Sequence, residues 1–349
     1  MYLLAIDWFF IIEKLILIAL VVTLCMIVAM YATYGERKVA AFIQDRIGPD
    51  RAGPFGILQP LADGGKLFFK EEIIPLASSK FLFVLGPVLA MITALLTSAV
   101  IPWGSPAVIA GRTVPLQVAD VNIGILYVFG VVSLGVYGMM IGGWASNNKF
   151  SLLAAIRGAS QMISYELAMG LSLIAVLMLT GSLQMSTIVQ TQLDGGWNII
   201  YQPLGFLIFF ICALAECNRT PFDLPEAESE LNFGYHQEYS SMKLGFYLFA
   251  EYINMFISGV IMSTLYFGGY DIPFVNEAAW NISPNLLAFI SFLVLMCKAF
   301  FFVFVFMWIR WTVPRFRFDQ LMHLGWKRLV PLALVNMLIT ALVILWLNK

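Results

Sequence analysis

With 349 residues, of which 60% are hydrophobic and 12% charged, the chain carries about half the roughly 25% charge of an ordinary soluble domain, which excludes a surface facing water on all sides. The net charge of −1 identifies no partner, because a whole-chain sum hides how charge is sorted between loops, and no nucleic acid is expected. Cys25, Cys212, Cys217 and Cys297 form no CxxC pair and His236 and His323 stand alone, which excludes a metal or cluster site built from Cys and His and leaves the cysteines as buried small residues.

Apolar runs of about 20 residues cross a bilayer core as helices. Hydropathy places about eight of them, so the expected fold is an all-α integral membrane protein, one polytopic domain over 1–349. The first span, 10–33, has no basic stretch ahead of it and no small-residue cleavage site, and is expected to be retained. Residues 35–80 form a first inner loop broken at Gly48-Pro49 and Gly53-Pro54. Beyond the breaks, Leu58, Leu61, Phe68 and Phe69 fall on one helical face and Asp63, Lys66 and Lys70 on the other. That pattern predicts an amphipathic helix lying along the cytoplasmic membrane surface; a plain surface helix covering the end of the bundle is the alternative.

Spans at 81–101, 121–143 and 161–181 follow, the last with Glu166 near its start, and a fifth at 199–216 ends on Glu216. An acidic loop over 217–243 then carries Arg219, Asp223, Glu226, Glu228 and Glu230. A helix after Pro225 would put Glu226 and Glu230 on one face, with Asp223 close by and Glu228 turned away. The sixth span, 244–267, contains Glu251 with Asn254 one turn on; the seventh, 285–309, contains Lys298; the eighth is 329–348. Counted along this topology, 16 Lys and Arg lie on one side against 3 on the other, Lys14, Arg112 and Lys349. The basic side is therefore expected in the cytoplasm, with both termini outside.

Carboxylates inside spans carry the functional signal. A charged residue at a helix centre costs about 3 kcal/mol on insertion scales, so Glu166, Glu216 and Glu251 on neighbouring spans call for a purpose. An acid in poor solvent can change its proton occupancy in response to a nearby charge. Hydrogen-bonding braces between helices, paired with Lys298 or Arg157, are the structural alternative.

Several blocks resemble one known family. Glu36-Arg37-Lys38-Val39, Arg46-Ile47-Gly48-Pro49, Gly53-Pro54-Phe55-Gly56, Gln59-Pro60-Leu61-Ala62-Asp63 and Lys66-Leu67-Phe68 are similar to the first-loop signature of the quinone-pocket membrane subunit (the H subunit, or subunit 1) of respiratory complex I, NADH:quinone oxidoreductase. Ala215-Glu216, Asn218-Arg219-Thr220-Pro221-Phe222-Asp223-Leu224 and the glutamates after them resemble its second signature. Ile163-Ser164-Tyr165-Glu166, Ala250-Glu251-Tyr252 and Pro314 to Leu321 match in order, so the likeness runs from about residue 30 to the end. Cys217 stands where Thr is usual and Asp50 where Asn is usual; neither departure removes a charged residue of interest.

The resemblance implies a chain that does not bind NADH and is not catalytic alone. Flavin and iron–sulfur clusters are expected in partner subunits and no metal in this one, with quinone as substrate. The partners implied are the peripheral quinone-site subunits and the membrane-arm subunits, in a bacterial-type inner membrane. Arg37, Asp63 and Lys66 map to the quinone tunnel and its entrance, and Arg219, with Asp223, Glu226, Glu228 and Glu230, to the loop beneath the reduction site. Glu166, Glu216 and Glu251 map to a buried carboxylate path towards the antiporter-like subunits, and Arg310, Arg315 and Arg317 to the last inner loop. Rival readings are the membrane subunit of a membrane-bound hydrogenase, a proton-coupled transporter working at Glu166 and Glu251, and a structural anchor. A transporter or an anchor leaves the long charged inner loops or the buried acids without use.

Overall fold

A computed structural model describes residues 8–109, 111–272 and 282–347. Lys349 and the side chain of Glu228 lie outside the described residues. The first helix, α1 (Trp8–Ile43), has 36 residues, about 54 Å at 1.5 Å per residue. It outruns a hydrocarbon core of about 30 Å and continues past the expected span, carrying Glu36 and Arg37 beyond its membrane part. The short α2 (Gln59–Phe69) follows the glycine-proline breaks, then α3 (Lys80–Leu96), a three-residue hairpin of β1 (Ala107–Ile109) and β2 (Arg112–Val114), and α4 (Gly124–Ala145). The long α5 (Lys149–Thr180) starts where the Asn148 side chain accepts the Phe150 N–H and stops at Gly181 with φ +67°, an N-cap and a left-handed C-terminal stop. Beyond α6 (Met185–Gly195) and α7 (Asn198–Tyr201) come α8 (Pro203–Glu216), α9 (Glu228–Leu231), α10 (Ser241–Tyr266) and α11 (Pro284–Thr312). The last membrane element combines α12 (Phe318–Leu324), a π-helical turn at Gly325–Leu329 and α13 (Val330–Leu347).

Among the described residues, seven helices are long and apolar enough to span a membrane. The fifth expected span departs from this pattern. Pro203 starts α8 at its first position, where a missing N–H costs nothing, and α8 runs 14 residues, about 21 Å. The one-turn α7 precedes it across a break at Gln202. In the bundle, α10 packs against α1, α3 and α11, while α5 packs against α4, α8 and α13. The apolar core lies between these two sets, around Tyr165, Phe209, Phe256, Tyr266 and Phe306.

The alternative reading of α2 does not hold, because its apolar side does not cover the bundle: Leu58, Leu61, Phe68 and Phe69 are exposed, while Pro60 on the other side is buried. Two expectations need correction. No helix starts directly after Pro225. It begins at Glu228, so Glu226 precedes it and Glu226 and Glu230 share no face. Cys297 is exposed on α11, unlike the other three cysteines, because it sits on the side of the helix turned away from the bundle.

Candidate functional site

Local chemistry folds the acidic loop inward. After α8, Asn218 takes φ +50° and turns the chain, a conformation Asn tolerates better than most residues. Gln161 on α5 donates to the Ala215 and Phe222 carbonyls at 2.8 and 2.7 Å, and the Phe222 ring lies between Tyr165 at 5.3 Å and Phe316 at 5.6 Å. The Phe316 N–H donates to the Pro221 carbonyl at 3.2 Å, which seats the segment after α11 on the loop. Charged side chains of the loop are thereby buried; Arg219 is 4% exposed and Asp223 4%.

Arg219 is the centre of the site. Its guanidinium lies over the Tyr252 ring at 4.2 Å, with Nη1 3.7 Å from Glu36 and Nη2 3.6 Å from Glu251. Glu36 also takes Arg310 Nη1 at 2.5 Å and accepts the Tyr252 hydroxyl at 2.9 Å. Glu251 accepts the Tyr235 hydroxyl at 3.1 Å on one oxygen, and its other oxygen accepts no hydrogen bond among the described residues.

The loop acids divide between environments. Asp223 pairs with Arg315 at 2.7 Å, yet burial, with Glu226 adding to it, outweighs Arg315, Arg310 and Arg219 and pushes its carboxyl up to about 7. Burial also raises Glu226, but there His236, Arg219 and Arg310 prevail and hold it below the ordinary carboxylate range. Glu230 turns outward to Arg157 at 2.8 Å. His236, isolated in the sequence, comes 3.9 Å from Glu226. The ligand atoms of Glu226, His236 and Glu251 all lie within 4.8 Å of one another, a donor set that could hold a cation; the Arg219 charge 3.6 Å from Glu251 opposes a divalent one.

Behind this cluster lies a cavity of about 60 Å³ bordered by Glu251, Glu216, Asn218, Tyr235, Asn254, Ser258 and Thr97. About 10–15 Å³ of such space holds one water, so several fit beside two carboxylates. A second cavity of about 40 Å³, lined by Val128, Met169, Phe209 and Ile261, also touches Glu216. Glu216 therefore stands between a cavity of mixed lining, which also includes Val132, Met139, Met162 and Ile257, and an apolar one, with one oxygen accepting no hydrogen bond among the described residues. Glu166 receives the Ser133 hydroxyl and borders an open apolar groove of about 520 Å³ along Leu126, Ile163, Leu167 and Ile174.

The sequence-expected residues thus fall into separate places. Arg219, Asp223, Glu226 and Glu251 come together, Glu216 borders the same cavity as Glu251, and Glu166 lies on the outer groove. Arg37 and Asp63 pair at 2.6 Å between α1 and α2, and Lys66 is exposed on α2. Arg317 pairs with its neighbour Asp319 at the surface. Lys298 donates to the carbonyls of Phe267, Gly269 and Asp271 at 2.6 to 2.9 Å. Sequence reasoning gave no role to Glu36, Tyr235, Tyr252 or His236. Glu36 was legible in part, as an acid next to Arg37 just beyond a long apolar run, but its partners Arg219, Tyr252 and Arg310 lie far along the chain.

A family model described as NADH dehydrogenase matches residues 15–341. The H subunit 1 of NADH-quinone oxidoreductase from Cytophaga hutchinsonii is 62% identical over 336 residues, 96% of this chain and 98% of the relative. The NADH-quinone oxidoreductase H subunit of Flavobacterium johnsoniae is 60% identical over 336 residues, 96% of both chains. NADH-quinone oxidoreductase subunit 8 of Rhodothermus marinus is 45% identical over 331 residues, 93% of this chain and 94% of the relative.

Proposed function

We propose, on the premise that this chain belongs to the NADH dehydrogenase family, that it is the membrane subunit of an NADH:quinone oxidoreductase, walling much of the quinone tunnel and carrying the carboxylate path that couples quinone reduction to proton translocation. The names of the relatives as NADH-quinone oxidoreductase subunits support this assembly over a hydrogenase or a transporter. The partners are then the other subunits of that complex, which hold the flavin and clusters. The acidic loop faces the cytoplasm, both termini face outside, and the membrane is a bacterial-type inner membrane.

The observation that supports the coupling role is the succession of ionisable groups from Asp223 and Glu226 past Arg219 to Glu251, with a cavity large enough for several waters between Glu251 and Glu216. A quinone takes up electrons and protons when reduced, and the demand falls on the nearest ionisable groups. Asp223 and Glu226 are pushed apart in proton affinity, which gives one site that holds a proton near neutral pH and one that does not. A charge change at either alters the field on Glu251, since interacting groups titrate together. Waters in the cavity would carry the exchange to Glu216. The exposed apolar side of α2, with Arg37, Asp63 and Lys66 beside it, suits a passage for a lipid-soluble substrate whose far wall belongs to partner subunits.

Glu216→Gln or Glu251→Gln is expected to lower NADH:quinone reductase activity in membranes while NADH:ferricyanide activity, which needs no quinone site, is kept. Normal quinone reduction and normal proton translocation in both variants would overturn the path.

A further inference from the structure

Arg219 occupies a position that neither of its carboxylate neighbours accounts for. A charge-assisted N–H···O contact closes to about 2.7–2.9 Å, yet this guanidinium stands 3.7 Å from Glu36 and 3.6 Å from Glu251. Its Nε and Nη2 donate no hydrogen bond among the described residues, although the side chain is 4% exposed. What holds it is the face of Tyr252, 4.2 Å from the guanidinium carbon, and a cation over a ring can shift sideways by less than about 1 Å and stay within the roughly 6 Å over which the attraction acts. A shift of roughly 0.8 Å closes the contact with either acid.

The two acids are not equivalent. Glu36 is already satisfied by Arg310 at 2.5 Å and the Tyr252 hydroxyl at 2.9 Å, so it tolerates the loss of Arg219. Glu251 has one oxygen on Tyr235 and another that accepts nothing among the described residues, and it faces Glu226 and His236, whose ligand atoms lie within 4.8 Å of its own; once ionised beside Glu226, it draws the Arg219 guanidinium closer. We propose that Glu36 is a positioning residue for Arg219, holding the guanidinium while Glu251 is neutral and releasing it when Glu251 ionises. This rests on the reading of Glu251 as part of the proton path.

The placement of the residues gives the movement a consequence. Glu251 and Tyr252 belong to α10, Arg310 to the last turn of α11, and Arg219 to the loop that bears Asp223 and Glu226. Glu36 is on α1, and its neighbour Arg37 holds Asp63 of α2 at 2.6 Å. The position of Arg219 thus ties the state of Glu251 to the helix that anchors α2. Glu36 reaches no substrate in this scheme and acts through Arg219.

A double-mutant cycle in the assembled, membrane-bound enzyme tests the proposal, with ferricyanide reduction as the assembly control. Glu36→Gln is expected to lower quinone reductase kcat about tenfold, the factor that about 1.4 kcal/mol gives, leaving KM for quinone unchanged. Glu36→Asp, which keeps the charge, recovers most of the loss. In a Glu251→Gln background, Glu36→Gln adds no further loss, because no ionised Glu251 remains to draw Arg219 away from Glu36. Independent, multiplying losses would overturn the proposal, as would a change confined to KM, which would place Glu36 with Arg37 in the tunnel wall. Full activity and proton translocation in Glu251→Gln alone would instead sink the proton-path reading on which it rests.

Discussion

Asp223 and Glu226 stand three residues apart and are pushed in opposite directions, one by burial and the other by the cations around it. The fold therefore binds a proton on Asp223 more tightly than the unfolded chain does, with the affinity raised from 3.8 to about 7. The resulting stabilisation is complete below about pH 4 and is lost as pH rises through about 7. Asp223→Asn carries no such proton. Its thermal melting in the purified complex is expected to vary less between about pH 5 and 8 than that of the wild type, and equal slopes would assign the pH dependence to another group. Residue types and order made this loop recognisable, but which of its acids is buried was not readable from them. Glu226 and Glu230 look alike in a helical projection, yet one faces His236 and the other faces Arg157 in partial solvent.

Helix positions were largely legible from apolar run length, because a bilayer demands long continuous apolar segments. Where α5 and α1 run past the expected spans, the extra turns mix apolar residues with charges, Lys149 and Arg157 in α5 and Glu36, Arg37 and Lys38 in α1, and those charges end the continuous apolar run that hydropathy detects. At α8, hydropathy merged residues that Pro203 separates. Close helix packing is a tertiary matter. In α4, a Cβ built on Gly142 would overlap the Tyr247 hydroxyl oxygen, and one on Gly86 of α3 would lie 2.5 Å from the same atom. These glycines let α3, α4 and α10 approach around Tyr247, which donates to the Gly138 carbonyl at 3.1 Å. Gly142→Ala is expected to destabilise the protein by about 1–3 kcal/mol, the usual cost of overpacking, seen as less assembled enzyme in the membrane. Adding Tyr247→Phe removes the clashing oxygen and should restore part of the yield; no recovery would place the defect elsewhere in α4.

Across the whole molecule, large apolar side chains are exposed along α1, α11 and α13, among them Leu15, Leu20, Phe289, Phe301, Leu342 and Trp346, a surface suited to lipid and to neighbouring helices. The apolar side of α2 extends that surface, with Phe55, Phe68 and Phe69 strongly exposed. If it borders the quinone passage, a photoreactive quinone analogue added to membranes should label peptides from residues 36–70, and labelling confined to other subunits would count against that wall.

The sequence by itself determined the membrane class, the order of the apolar segments, the sorting of basic residues and the family, since each depends on local composition or on contiguous blocks of residues. Only the tertiary structure decided that Glu36, Arg219, Glu251, Tyr252 and Arg310 meet, and that Glu216 and Glu251 share a cavity. The physical reason is that burial and charge pairing depend on distances between helices far apart in the chain: Glu36 on α1 is balanced by cations on the acidic loop and α11, a relation that no local spacing encodes.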